Sequence, residues 1–158
     1  MVKIKRFSKT TISLMLALAL VMVPQLAAAG EATVPQTSPP PVMVQPMAVF
    51  EGYTYLKSSS ENLSIGSNLI AVVTTVTNAK STVSEVGGTI QLQEWSGTSW
   101  INLVPTAPYS NKNATLATGN MTKSVRSGYY YRAKVTHFVT HNGTTETAVS
   151  YSETVLAP

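Results

Sequence analysis

Few side chains in this sequence could carry out chemistry. The 158 residues include seven glutamates and two histidines, with no cysteine and no aspartate. The lack of cysteine excludes a disulfide framework, a thiolate metal site and a cysteine nucleophile. His137 and His141 are four residues apart, which on a strand separates them by roughly 13 Å, whereas metal–ligand bonds are about 2 Å long. We therefore expect no metal site and no cofactor.

Catalytic arrangements are equally hard to assemble. A serine hydrolase needs a nucleophile, a base and an orienting acid, but no Gly-x-Ser-x-Gly motif occurs and only glutamate could orient His137. A carboxylate pair for glycoside hydrolysis would come from six glutamates that mostly lie at predicted strand ends or turns: Glu51, Glu61, Glu85, Glu94, Glu146 and Glu153. Glu94, at the edge of an apolar face, is the one to check for a raised pKa. The sequence predicts a protein that is not an enzyme.

The two tryptophans lie in one predicted hairpin. A two-residue loop at Gly97-Thr98 suits a type II′ turn, which prefers glycine first, and it pairs Leu92 with Leu103 and Trp95 with Trp100. Strand alternation then places an apolar set on one face, with Glu94 near its end: Ile90, Leu92, Ile101 and Leu103. The opposite face carries Gln91, Gln93, Trp95, Trp100 and Asn102. Because the apolar set must face the core, both tryptophans are predicted to point outward.

This outward face is the candidate binding site. Aromatic rings flanked by amides can supply apolar area and hydrogen bonds to a ligand, so cell-wall carbohydrate and surface proteins are the partners considered. Two alternatives stay open. A cross-strand tryptophan pair stabilises a hairpin by up to about 1 kcal/mol without any ligand, and the Pro-rich segment or a neighbouring loop could cover it.

The N-terminal residues have the three parts of a secretory signal peptide. Basic residues within 3–9 precede an apolar run at 11–26 and small residues at 27–30. The run is short for a membrane span of about 20 residues, so we expect cleavage after Ala29, a secreted protein and no membrane association afterwards. Four of the 11 basic residues leave with the peptide, which leaves seven against seven acidic residues. Without a basic field, nucleic acid is not an expected partner.

The remaining chain divides into a linker and one domain. Residues 30–48 contain five prolines and predict a disordered, partly extended linker, with a Pro-rich recognition peptide as the alternative. Residues 49–158 have short runs of Thr, Val, Ile and Tyr between Gly, Asn and Ser, which is typical of an all-β sandwich or barrel. Strands are predicted at 52–57, 62–65, 69–78, 89–95, 100–104, 116–125, 129–140 and 144–156. Gly87-Gly88 is expected to be a turn, and 105–113 is the only long loop.

A second hairpin turns at His141-Asn142-Gly143. A two-residue Asn-Gly loop pairs Val135 with Ser150 and puts Val149 and Tyr151 on the face of Arg132 and Lys134. A three-residue loop pairs Val135 with Val149 and Ala133 with Tyr151. Since a one-residue slip exchanges the two faces of a strand, apolar burial favours the three-residue, bulged loop.

The run Ser127 to Val135, followed by this hairpin, resembles the penultimate strands of immunoglobulin-like domains. Tyr131 matches the tyrosine that forms a corner hydrogen bond there, and Ala133 matches a disulfide cysteine. The chain also resembles small secreted proteins of Gram-positive bacteria that carry a domain of unknown function, through Gly97-Thr-Ser-Trp100 and Gly128-Tyr-Tyr-Tyr-Arg132-Ala-Lys-Val135. The resemblance implies an immunoglobulin-like antiparallel β-sandwich of seven to eight strands, outside the cell.

Together these features predict a secreted, non-catalytic binding or interaction module at or outside the cell surface. An envelope-associated structural or self-assembling protein is one alternative, because exposed edge strands can pair with another chain. A secreted enzyme or enzyme inhibitor is the other, and it would need a cleft or a protruding loop.

Overall fold

The computed structural model describes residues 33–42 and 47–158. The predicted signal peptide, residues 1–29, and part of the predicted linker lie outside the described residues. The described residues belong to one compact unit. Among them, no helix is long and apolar enough to cross a membrane.

The described part of the chain is all-β, as predicted, and its eight strands form one antiparallel sheet. The strand order is β1-β2-β3-β6-β7, with β4 and β5 also paired with β3, and β8 paired with β6. The strands are β1 (Ala48–Val49), β2 (Leu56–Ile65), β3 (Ile70–Trp95), β4 (Trp100–Asn102), β5 (Ala107–Ser124), β6 (Tyr130–His141), β7 (Thr144–Tyr151) and β8 (Val155–Leu156).

Two strands are much longer than predicted. β3 runs through Gly87-Gly88, the expected turn, and β5 occupies most of the loop expected at 105–113. Gly87 pairs with Ser110, and a Cβ added at Gly87 would lie 2.2 Å from the carbonyl oxygen of Tyr109. Glycine at this position permits a close approach between two strands, which is a recognised use of glycine inside strands. The turn and loop predictions were therefore wrong.

The long β3 strand lets the sheet curl around its own core. Its first half pairs with β2 and its second half with β6, while β5 runs beside both halves with a register shift between Asn78 and Val83. One apolar cluster joins Leu63 of β2 and Val73 of the first half of β3 to Ile90 and Leu92 of the second half. β2 also spans the gap between the strands predicted at 52–57 and 62–65, because alternate residues between them are buried.

The second hairpin has the two-residue loop, so the prediction of a three-residue loop was wrong. Val135 pairs with Ser150, and Asn142 and Gly143 have φ of 49° and 76°, as a type I′ turn requires. Ser150 is buried beside His137, whereas Val149 is 46% exposed. Apolar burial was the wrong criterion, because a buried histidine needs a polar neighbour on that face.

Gly87→Ala is expected to destabilise the protein by about 1–3 kcal/mol, because the added methyl group meets the backbone of the paired strand. Gly66→Ala is the matched control, since its Cβ meets only the side-chain end of Asn68. Urea denaturation of both variants checks this prediction. Equal midpoints for the two variants would show that β3 and β5 do not approach as closely as described.

Candidate functional site

The first hairpin places the candidate face where the sequence predicts it. Trp95 pairs with Trp100, Gln93 pairs with Asn102, and Ser96 and Ser99 close the turn through a backbone hydrogen bond of 2.9 Å. The predicted register and the assignment of the tryptophans to one face are confirmed. The tryptophan ring centroids are 5.3 Å apart.

The two tryptophans differ in exposure. Trp95 is only 8% exposed, and its indole Nε1 donates a hydrogen bond of 3.0 Å to the carbonyl oxygen of Ser38. Trp100 is half-buried. The prediction that both rings face solvent is therefore wrong for Trp95. Strand alternation identified the correct face, but it carries no information about another part of the chain covering that face. Ser38 belongs to residues 33–42, which we call the proline segment.

The amide side chains of the face are largely engaged with neighbours. Gln93 is buried and donates to Asn102 Oδ1 over 2.8 Å, while Gln91 donates to the carbonyl oxygen of Leu103. Asn102 is exposed. Ile101, predicted to face the core, is 48% exposed because β4 is a short strand at the edge of the sheet. The hydrogen bonds that Gln91 and Gln93 donate are therefore made within the hairpin, and Asn102 is the amide most accessible to a ligand.

Arg132 and Tyr151 extend the tryptophan pair into a row of stacked groups. The Arg132 guanidinium carbon lies 4.2 Å from the ring centroids of both Trp100 and Tyr151, within cation–π range. Its Nε donates to Gln93 Oε1 over 2.8 Å. We call Trp95, Trp100, Arg132 and Tyr151 the aromatic row. Trp100 and Tyr151 are half-buried, so ring surface at both positions is accessible to a ligand.

Sequence reasoning missed Arg132 and Tyr151 as members of this face. The two-residue loop at Asn142-Gly143 places Tyr151 opposite Lys134, on the face of Arg132. The rejected register contained this arrangement, and it was rejected because it places Val149 and Tyr151 on the face of Arg132 and Lys134 instead of the apolar face. Cation–π stacking makes that neighbourhood favourable, which was the available signal.

A second group of polar side chains lies inside the core. His137 is fully buried, with Nδ1 2.7 Å from Thr77 Oγ1 and Nε2 2.7 Å from Ser150 Oγ. Its Nε2 also lies 3.1 Å from Glu61 Oε1, and the Tyr109 hydroxyl lies 2.7 Å from Thr77 Oγ1. We call Glu61, Thr77, Tyr109, His137 and Ser150 the core polar cluster. Because the Glu61 and His137 side chains are inaccessible to solvent, they cannot contact a substrate without the core opening.

This cluster corrects the interpretation of several charged residues. Glu61 is one of the glutamates that the sequence mostly places at strand ends or turns, and it is instead buried within β2. His141 ends β6 and accepts a hydrogen bond from the Ser84 amide, apart from His137. Glu146 is also structural, because its carboxylate accepts amide hydrogen bonds from residues 54–56. In the described residues, no group of three His, Cys, Asp or Glu could hold a metal ion.

Glu94 is buried next to the aromatic row but on the core side of the sheet. It forms an ion pair with Arg126 and accepts a hydrogen bond of 2.7 Å from the Tyr131 hydroxyl, which itself accepts one of 3.0 Å from the Arg126 amide. Burial raises the pKa of Glu94, but the hydrogen bonds and the charge of Arg126 outweigh it, so the pKa is lowered. This is the opposite of a carboxyl tuned to act as a general acid.

Glu94 is expected to make stability depend on acidic pH. Since its folded pKa lies below the ordinary value of 4.5, its stabilisation is present above about pH 4.5 and is lost as pH falls through the folded pKa. Glu94→Gln should therefore lower the free energy of unfolding most at pH 7 and progressively less below pH 4.5. Urea denaturation at pH 7, 5, 4 and 3 measures this difference. A difference that is the same at every pH would contradict the assignment.

No known protein family, curated protein or solved structure matches this chain. The functional conclusion therefore depends on the geometry of the described residues.

Proposed function

We propose that this protein is a secreted, non-catalytic binding module that acts at or outside the cell surface through the aromatic row. The observation that carries the proposal is the stack of Trp100, Arg132 and Tyr151, in which a buried guanidinium holds two half-exposed rings in fixed positions. Rings that are already immobilised lose little conformational freedom on binding, which favours affinity. Cell-wall carbohydrate and surface proteins are the partner classes that such a face suits.

Secretion and the finer fold class are part of the same proposal. The signal peptide pattern of residues 1–29 supports export, as does the resemblance to secreted proteins of Gram-positive bacteria. An immunoglobulin-like sandwich is supported by the Tyr131 hydroxyl, which is bonded to the backbone five residues upstream, in the manner of the tyrosine corner of such domains.

The binding proposal is tested by cosedimentation of residues 30–158 with isolated Gram-positive cell walls, before and after protease treatment of the walls. We expect the wild type to sediment with the walls, and Trp100→Ala to lose most of that retention. Leu116→Ala, an exposed apolar position on β5, is the control. Retention that survives protease treatment identifies a carbohydrate partner, and retention that is lost identifies a protein. Equal retention of wild type and Trp100→Ala would contradict the proposal.

Self-assembly is the second candidate, because β5 has 18 residues and pairs only with β3 among the described strands. Its opposite edge presents backbone groups to which another chain could add a strand. Sedimentation velocity at increasing concentration distinguishes this from a monomeric binding module. If the protein remains a monomer at every concentration, self-assembly is excluded.

A further inference from the structure

The proline segment occupies a defined path on the β-domain. The backbone amide of Gln36 donates a hydrogen bond of 2.7 Å to the Gly128 carbonyl oxygen. The backbone carbonyl of Ser38 accepts one of 3.0 Å from Trp95 Nε1. Farther along, Pro40 is buried. The segment is thus held by both hydrogen bonds and apolar contact, although the sequence predicts a disordered linker there.

Glycine at position 128 is required for this path. Its φ is +78°, and a Cβ there would lie 2.8 Å from Gln36 Cγ and 3.0 Å from the Val34 carbonyl oxygen. Any larger residue would be strained and would press against the segment. Gly128 was noted in the sequence only as part of a strand motif, and the structure shows that it also admits the segment.

Beyond Ser38, the proline segment leaves an open cleft between itself and the rest of the domain. This cleft of about 310 Å³ lies between residues 39–42 and the side chains of Tyr130 in β6 and of Glu153 and Thr154 in the connection from β7 to β8. The cleft is open to solvent, so residues 39–42 lie against the domain without closing the space beside them. The segment is held through two hydrogen bonds made by its own backbone, and it lies beside an open cleft. A second peptide of similar chemistry could therefore take its place.

We infer that the end of the sheet formed by Trp95, Gly128, Tyr130 and Glu153 is a recognition groove for a proline-rich peptide of a partner protein, and that the proline segment occupies it in the free protein. Aromatic grooves recognise such peptides because the peptides are already extended and lose little entropy on binding. The hydrogen bonds read only backbone carbonyl and amide groups of the segment, so a different proline-rich sequence can form them. This inference rests on the proposed binding function and names its partner class.

If the proline segment occupies the groove of its own chain, an added peptide must compete with it. A segment tethered to its own groove has an effective concentration in the millimolar range, so a peptide added in solution must displace it. The wild type should therefore bind a synthetic peptide of residues 33–42 at least about tenfold more weakly than a variant whose own segment is released.

The experiment uses fluorescence anisotropy with a dye-labelled peptide of residues 33–42. Residues 30–158 are compared with a variant in which Pro39, Pro40 and Pro41 are glycine. We expect saturable binding by the variant, at least tenfold tighter than by the wild type. The same peptide with its prolines replaced by alanine should bind more weakly.

Two further variants, made in the triple-glycine background, locate the groove. Tyr130→Ala should weaken peptide binding, whereas Val72→Ala, an exposed position on the first half of β3, should not. Tyr130 is half-buried, so its truncation leaves the core intact. Equal weakening by both substitutions would overturn the assignment of the groove.

Three other results would also overturn the inference. These are no peptide binding by the triple-glycine variant, equal affinity of wild type and variant, and concentration-dependent dimers of the wild type that the peptide dissociates. Such dimers would show that the groove is occupied by the proline segment of a second copy of the protein. If cell-wall retention depends on Trp100 while the peptide fails to bind, the groove is wrong and the binding function stands.

Discussion

His137→Ala is expected to lower the free energy of unfolding by about 3–5 kcal/mol, because several buried polar groups lose a partner at once and each such loss costs about 1–3 kcal/mol. The substitution removes the only neighbour within ion-pair distance of Glu61, whose carboxyl oxygens accept no hydrogen bond among the described residues. It also leaves Thr77 and Ser150 without their short contacts to the ring. Buried polar groups that lose a partner keep the full cost of desolvation. Equilibrium denaturation in urea at pH 7 measures the effect.

A double-mutant cycle with Glu61→Gln separates the pair from ordinary packing. If the buried carboxyl group causes most of the loss, His137→Ala should cost clearly less in the Glu61→Gln background, because the carboxyl group that would lose its neighbour is then absent. Identical costs in both backgrounds would show that the lost volume and the hydroxyl contacts explain the effect. A loss below about 1 kcal/mol, the size of an ordinary hydrogen bond, would contradict the described core polar cluster.

Trp95→Ala is expected to cost about 3–5 kcal/mol, the range for removing a large buried aromatic side chain. Trp95 is 8% exposed, and it packs against Trp100 while bonding Ser38. Its loss removes contacts with both the hairpin and the proline segment. Thermal and urea denaturation measure this change.

Two matched substitutions divide the effect of Trp95→Ala. Trp95→Phe keeps most of the ring but loses the indole donor, so the lost hydrogen bond should cost about 0.5–1.5 kcal/mol. Trp100→Ala truncates the paired tryptophan of the same hairpin, and because Trp100 is half-buried it should cost clearly less than Trp95→Ala. Equal costs for the two alanine variants would mean that the proline segment does not cover Trp95.

The sequence predicts those parts of the fold that depend on local pattern. Alternation and turn chemistry gave the register of the hairpin at Gly97-Thr98, and Thr- and Val-rich runs gave the all-β class. The failures occurred where distant segments decide the outcome. Gly87-Gly88 looks like a turn until Tyr109 and Ser110 are known to lie against it.

The candidate site was predicted only in part, again because distant segments decide which residues join it and how far they are exposed. The sequence places Trp95 and Trp100 on one face, but the burial of Trp95 depends on Ser38, 57 residues away. Arg132 and Tyr151 join the face only in the register that apolar burial argued against. That register is favoured because it also brings Ser150 to His137, a polar contact inside the core that hydrophobic periodicity cannot predict.

Acrylamide quenching of single-tryptophan variants tests the central claim most directly. Trp100→Phe leaves only Trp95, and Trp95→Phe leaves only Trp100, so each ring of the aromatic row is read separately in residues 30–158. We expect blue-shifted, weakly quenched emission from Trp95, which lies under the proline segment, and red-shifted, readily quenched emission from Trp100, which offers its ring to a ligand. Easily quenched Trp95 would contradict the covered groove, and a protected Trp100 would contradict the exposed binding face.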